Sequence, residues 1–235
     1  MRPGGELATR PLHFFFIADA SSSMSLNGKM DALNLAIREA IPHMRRVAED
    51  NPNAQVYVRA IRFASGATWH VGEETPVEDF EWEDLKAQGV TDLGKAFDLL
   101  AEQMTIPPMS DRALPPVLVL ISDGQPTDDY KPSLEKLLRL PWGTKSVRLA
   151  IAIGSNASKR VLSEFIASSH IEPLEAHNAK ELVEYIRWAS TIVLQAASSP
   201  ATESGDSSYE GGSLIIPQVP SEFWKDISVS VDDVW

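Results

Sequence analysis

Cysteine is absent from the 235 residues, so the chain has neither a disulfide framework nor a thiolate metal site, and nothing in it points to an oxidising compartment. The cytoplasm is the expected location. No run approaches the roughly 20 consecutive apolar residues of a membrane-spanning helix, so no membrane association is expected. Clustered basic charge is also missing. The formal net charge is -12, with 33 Asp and Glu against 21 Lys and Arg, and a phosphate binder needs grouped cations to release counterions, so no nucleic-acid partner is expected. The pair Arg45 and Arg46 falls late in a helical pattern, where cations complement the helix dipole. Neither a G-x-x-x-x-G-K-[ST] nor a G-x-G-x-x-G phosphate loop occurs, and a G-x-S-x-G nucleophile elbow is missing too, which removes the strongest cases for a nucleotide or acyl-transfer enzyme.

What is present is an alternation of strand-like and helical patterns, the signature of an α/β fold: a doubly wound, mostly parallel sheet with helices on both faces. The run Phe14-Phe15-Phe16-Ile17-Ala18 is too short for the apolar core of a signal peptide and reads as part of a first strand over 12–18. Leu33, Ala36, Ile37, Ala40, Ile41, Met44 and Val47 recur at helical spacing and predict a helix over 30–49, kinked or broken at Pro42. Residues 55–63 and 67–71 read as a hairpin with one antiparallel edge strand. The acidic segment 72–89 reads as a surface loop anchored by Phe80 and Trp82, followed by a helix over 92–104. Val117 to Ile121 suits a central strand buried on both faces, and further elements follow at 133–140, 147–153, 159–167, near Leu174, and 179–196. The expected organisation is an N-terminal extension at 1–11, a domain at 12–197, a flexible Ser- and Gly-containing linker at 198–213 and a docking tail at 214–235.

Asp19, Ser21 and Ser23 follow the first strand at alternate positions, Thr91 precedes a helix, and Asp123 ends the most apolar strand. Strand ends at the carboxyl edge of a parallel sheet can bring such fragments together. Their common feature is hard oxygen, which suits a divalent cation such as Mg²⁺ or Mn²⁺. Taken alone, Asp19 and the serines would serve equally as helix caps or loop-amide acceptors; Thr91 and Asp123 favour the metal. His70, His170 and His177 lack metal-ligand spacing, Trp69, Trp82 and Trp142 read as core or lid anchors, and Asp128 and Asp129 either influence the metal from behind its ligands or, as acids before a helix more often do, stand solvated at the start of the following helix.

This pattern resembles the von Willebrand factor type A family, whose metal-ion-dependent adhesion site combines D-x-S-x-S with a Thr from a second loop and an Asp from a third. Ser122-Asp123-Gly124-Gln125-Pro126-Thr127-Asp128 is similar to the D-G-x-P-T-D stretch of bacterial members associated with tellurium resistance and stress response. Ser22 and Val90 stand where the family frequently has glycine. The resemblance implies that Ser21, Ser23 and Thr91 coordinate the cation while Asp19 and Asp123 act directly or through water, with one position left for a partner's Asp or Glu. It further implies a non-catalytic protein-binding module whose partners include a serine/threonine kinase and a PP2C-type phosphatase.

The competing expectation is a Mg²⁺-dependent phosphohydrolase with Asp19 as nucleophile, but such enzymes place a second Asp two residues later, where this chain has Ser21. In the tail, Asp232 and Asp233 could offer a carboxylate to the site in cis or in trans, whereas Ile215, Phe223 and Trp224 could instead cover an apolar groove on their own domain.

Overall fold

Consecutive aromatic residues in the first strand require apolar cover on both sides, and the fold supplies it. In the computed structural model, which describes residues 9–51 and 53–194 and the short strands at 209–210 and 213–214, β1 (Arg10–Asp19) has every residue from Leu12 onward buried. Phe14, Phe16 and Ala18 face one hydrophobic cluster, and Phe15 and Ile17 face another. β4 (Val117–Ser122) is buried throughout and pairs with β1 in parallel. The remaining strands are β2 (Ala54–Ala64), β3 (Gly66–Pro76), β5 (Val147–Ile153) and β6 (Leu174–Ala176), in the sheet order β3-β2-β1-β4-β5-β6. Within this six-stranded sheet only β3 is antiparallel, and it lies at the edge as expected.

One face of the sheet carries α1 (Lys29–Glu49) and α6 (Ala179–Trp188), which pack on each other; α6 continues through a π-helical turn at Ala189–Val193. The opposite face carries α2 (Leu93–Gln103), α3 (Lys131–Arg139), α4 (Pro141–Lys145) and α5 (Lys159–Ile166). Phe97 of α2 stacks on Phe165 of α5 with ring centres 5.5 Å apart. No helix of the described residues is long and apolar enough to cross a membrane.

Three sequence expectations change. α1 runs unbroken through Pro42, which sits on its exposed side, where the packed face is left undisturbed. Segment 72–89 is not all loop, because β3 continues to Pro76. An edge strand needs only backbone pairing with β2, so its acidic residues do not prevent it. α4 had no counterpart in the reading of the sequence. Residues 1–8, most of the expected linker, and the tail residues Phe223, Trp224, Asp232 and Asp233 lie outside the described residues. Within the 198–213 segment and at its end, Tyr209–Glu210 (β7) pairs with Ser213–Leu214 (β8).

His13 gives the sheet a pH dependence. It is buried on β1, its ring stacks on Tyr57 and Phe15, and its Nδ1 lies 3.9 Å from Glu74 Oε1. Burial holds its pKa below the ordinary 6.5, with Arg59 acting in the same direction and Glu74 against it. A lowered folded-state pKa means the unfolded chain takes the proton first, so this contribution is complete above about pH 6.5 and is lost as the pH falls through the folded value. Melting temperatures measured from about pH 7.5 to about 5.5 are expected to fall, and His13→Phe is expected to flatten that fall. An unchanged slope in His13→Phe would assign the titration elsewhere.

Candidate metal centre

β1 and β4 are neighbours whose connections leave in opposite directions, β1 toward β2 and β4 toward β5, so a crevice opens at their carboxyl ends. Asp19 ends β1 and Asp123 follows β4, both buried. The Ser21 N–H donates to Asp19 Oδ1 at 2.8 Å and turns the chain away from the strand. The Ser122 hydroxyl donates to Asp19 Oδ2 at 2.6 Å and ties the two strand ends together. Ser21 Oγ and Ser23 Oγ are 3.0 Å apart, and the Ser23 hydroxyl donates to Asp123 Oδ1 at 2.7 Å. A Cβ at Gly124 would lie 3.7 Å from Thr91 Oγ1 and 3.8 Å from Ser23 Oγ, which puts Thr91 at the same crevice. All five residues singled out from the sequence therefore meet there.

Residues beyond these five hold the arrangement in place. The Lys29 ammonium donates to Asp123 Oδ2 at 2.9 Å, with both side chains buried. Thr127 clamps Thr91 from both sides: the Thr91 N–H donates to Thr127 Oγ1 at 3.0 Å and the Thr127 N–H donates to the Thr91 carbonyl at 2.9 Å. The Thr127 hydroxyl also donates to Asp92 Oδ1, whose other oxygen accepts the Gly66 N–H. Asp128 does not serve the helix that follows it. Its carboxylate accepts the N–H groups of Gly94 and Lys95, at the start of α2, while Asp129 is exposed. Gly94 permits this approach, because a Cβ there would sit 2.8 Å from Asp128 Oδ2 and 3.0 Å from Tyr130 Cα. Of these, Lys29 carried a signal in the sequence: a lysine opening a helix opposes the helix dipole and calls for an anionic partner.

The two departures from the glycine-rich pattern are accommodated. Among the described residues, positive φ outside glycine occurs only at Asn27 and Ala167, so neither Ser22 nor Val90 needs glycine's freedom. Gly89 takes the positive φ of 77° one position earlier, its carbonyl accepting the Ser22 N–H at 3.0 Å. The side chains of Ser22 and Val90 point outward.

Burial pushes the Asp19 carboxyl above the usual carboxylate range; the hydrogen bonds from Ser122 and Ser21 oppose that shift, and neighbouring Asp123 adds to it. Among the described residues no three His, Asp or Glu side chains gather into a metal cluster. The donors are thus two carboxylates and three hydroxyls, without nitrogen or sulfur, and this set fits a hard divalent cation. The histidines lie apart from it in role: His70 bonds the Glu83 carbonyl and packs edge-on against Trp82, and His170 and His177 are exposed. Trp82 and Trp142 are buried, and Trp69 lies under the Arg59 guanidinium at 4.2 Å, in keeping with anchoring roles.

No protein-family model matches the chain, and no curated protein sequence does. Solved structures do. A von Willebrand factor type A protein from Catenulispora acidiphila superposes with a TM-score of 0.60 at 15% identity, over 80% of this chain and 43% of its own. The proximal thread matrix protein 1 of the mussel byssus, in a structure with a zinc-occupied MIDAS motif, gives 0.60 at 18% identity, over 80% and 47%. The PilB minor pilin of Streptococcus sanguinis gives 0.55 at 14% identity, over 83% and 63%. The chain spans less than two thirds of each of these proteins. At such identities the likeness concerns architecture, and the chain has the α/β fold of von Willebrand factor type A domains.

Proposed function

We propose that this chain is a metal-dependent protein-binding module in which a divalent cation, Mg²⁺ or Mn²⁺, bridges the crevice at β1 and β4 to an Asp or Glu of a partner. The observation that carries the reading is the continuous set of oxygens from Asp19 through Ser21 and Ser23 to Asp123, with Thr91 beside it. Ser21, Ser23 and Thr91 would hold the ion, and Asp19 and Asp123 would act on it directly or through water. Hydroxyls do not neutralise a cation, so the bound ion keeps its attraction for an incoming carboxylate. The zinc-occupied motif of the mussel protein supports a divalent ion at this place in the fold.

Binding rather than hydrolysis is favoured by the surroundings of Asp19. Both its oxygens accept hydrogen bonds, which lowers their nucleophilicity, and the position two residues on offers a serine in place of an acid. The resemblance of the Asp123 to Asp128 stretch to tellurium-resistance proteins supports a bacterial stress-response or defence setting, with a serine/threonine kinase and a PP2C-type phosphatase as the partners to look for first.

The test is Mn²⁺ titration followed by electron paramagnetic resonance, then affinity capture from the native host washed in Mg²⁺ or EDTA. Wild type is expected to bind Mn²⁺ and retain a partner only with metal. Asp19→Ala and Ser21→Ala, folded by circular dichroism, are expected to bind Mn²⁺ roughly 10–100-fold more weakly and to lose the partner. A partner retained equally in EDTA and by both variants would refute the bridge.

A further inference from the structure

We propose that Lys29 is a resident counter-cation of the metal centre, one that offsets Asp123 and holds the affinity for a divalent ion below what the two carboxylates alone would give. The inference rests on the metal-binding reading above and concerns how tightly that site takes its ion. The Lys29 ammonium is 2.9 Å from Asp123 Oδ2, and the exposures of the two side chains are 7% and 0%. Asp123 Oδ1 is meanwhile taken by the Ser23 hydroxyl at 2.7 Å, so the carboxylate is aimed from both sides.

The placement is costly on general grounds. Lys29 is the first residue of α1, where the helix dipole disfavours a cation, and a buried ion pair must overcome the desolvation of both members. A lysine used only to fill space would have a cheaper apolar substitute. Gly28, with φ of 71°, makes the left-handed turn that delivers Lys29 to this position at the end of the loop that also carries Ser21 and Ser23. Two carboxylates against one ammonium leave the centre one formal negative charge, so a divalent ion leaves it one formal positive charge. That remaining charge is what a carboxylate ligand would neutralise, and Lys29 thereby exchanges metal affinity for carboxylate affinity.

The experiment compares Mn²⁺ affinity in wild type, K29M, K29R, D123N and the double variant K29M/D123N, each checked for folding by circular dichroism. K29M is expected to bind Mn²⁺ roughly tenfold more tightly, K29R to stay near wild type, and D123N to bind roughly tenfold more weakly. The double variant, with both charges gone, is expected to return to within about threefold of wild type. Acetate, the carboxylate probe, is expected to bind Mn²⁺-loaded wild type more tightly than Mn²⁺-loaded K29M, read from water-proton relaxation. Equal Mn²⁺ affinity in K29M and wild type, or tightening in K29R as large as in K29M, would reduce Lys29 to a packing residue. If K29M does not fold, D123N against the double variant makes the same comparison, since removing both members of a buried pair is better tolerated than removing one. Equal affinities there would overturn the proposal. A wild type that binds no Mn²⁺ would remove the metal reading itself, and this inference with it.

Discussion

Asn34→Ala is expected to destabilise the protein by about 3–5 kcal/mol, because one buried side chain serves three buried partners and each orphaned polar group costs about 1–3 kcal/mol, less than additively. Asn34 Oδ1 accepts the Trp82 Nε1–H at 3.0 Å and the Leu85 N–H at 2.9 Å, while its Nδ2 donates to the Leu85 carbonyl at 3.0 Å. Asn34 lies on α1, and the segment it grips runs from the end of β3 to Thr91. Further along that segment, the Gln88 N–H donates to the Ala20 carbonyl and the Gly89 carbonyl accepts the Ser22 N–H. Asn34 therefore braces the loop that braces the candidate metal centre. Urea unfolding should show a lower midpoint with an unchanged slope, and amide exchange at Leu85 and Gln88 should accelerate even where the chain stays folded. A loss under about 1 kcal/mol would mean that the packing of Phe80 and Trp82, with Arg45 bonding the Val77 and Phe80 carbonyls, holds the segment alone.

The same segment shows what the sequence could and could not convey. Phe80 and Trp82 were legible as anchors because large aromatic residues in an acidic stretch must bury somewhere, whereas the polar grip of Asn34 has no periodic signature. The central strands were legible because a run such as Val117 to Ile121 fits only a position covered on both faces. β3 extends past its apolar stretch because an edge strand half-open to solvent does not select for apolar residues, and its side chains are half-buried or exposed. α4 has no sequence signature because Pro141-Trp142-Gly143-Thr144-Lys145 is too short to display a helical period.

At the candidate metal centre, the five oxygen-bearing residues could be placed together because each lies at or just after a strand end, or just before a helix, at the same edge of the sheet. Their supports could not. Lys29 meets Asp123 across 94 residues, Thr127 meets Thr91 across 36, and Asp128 reaches Gly94 across 34. Contacts of that range follow from the folded loops, and apart from the cation that opens α1 they leave no local pattern. Asp128 is instructive in this respect: an acid before a helix suggests a cap on that helix, yet its carboxylate caps α2 because the β4 loop doubles back over it.

The second large effect belongs to the corner between α3 and α4. Gly143→Ala is expected to lower stability by about 3 kcal/mol, at the upper end for overpacking, and the melting temperature by roughly 6–12 °C. A Cβ at Gly143 would fall inside the carbonyl oxygen of Leu137 and 2.9 Å from its carbonyl carbon, so backbone must move and no side-chain rotation can relieve the clash. Retreat is blocked on the other side. The Gly143 carbonyl accepts the Ser146 hydroxyl and the Arg148 Nη1–H, both at 2.7 Å, and shifting it would strain both bonds at a half-buried guanidinium that also donates to the Ile166 carbonyl. Trp142, the preceding residue, is buried and donates its backbone N–H to the Met104 carbonyl at the end of α2, so the disturbance reaches the core of that face. Gly124→Ala is the matching control, since its Cβ would meet no atom closer than 3.7 Å, and its melting temperature in EDTA should stay within about 2–4 °C of wild type. Calorimetric scans of the two variants decide the matter: equal melting temperatures would show that the α3 to α4 corner opens freely, and that the bonds on the Gly143 carbonyl do not hold it in place.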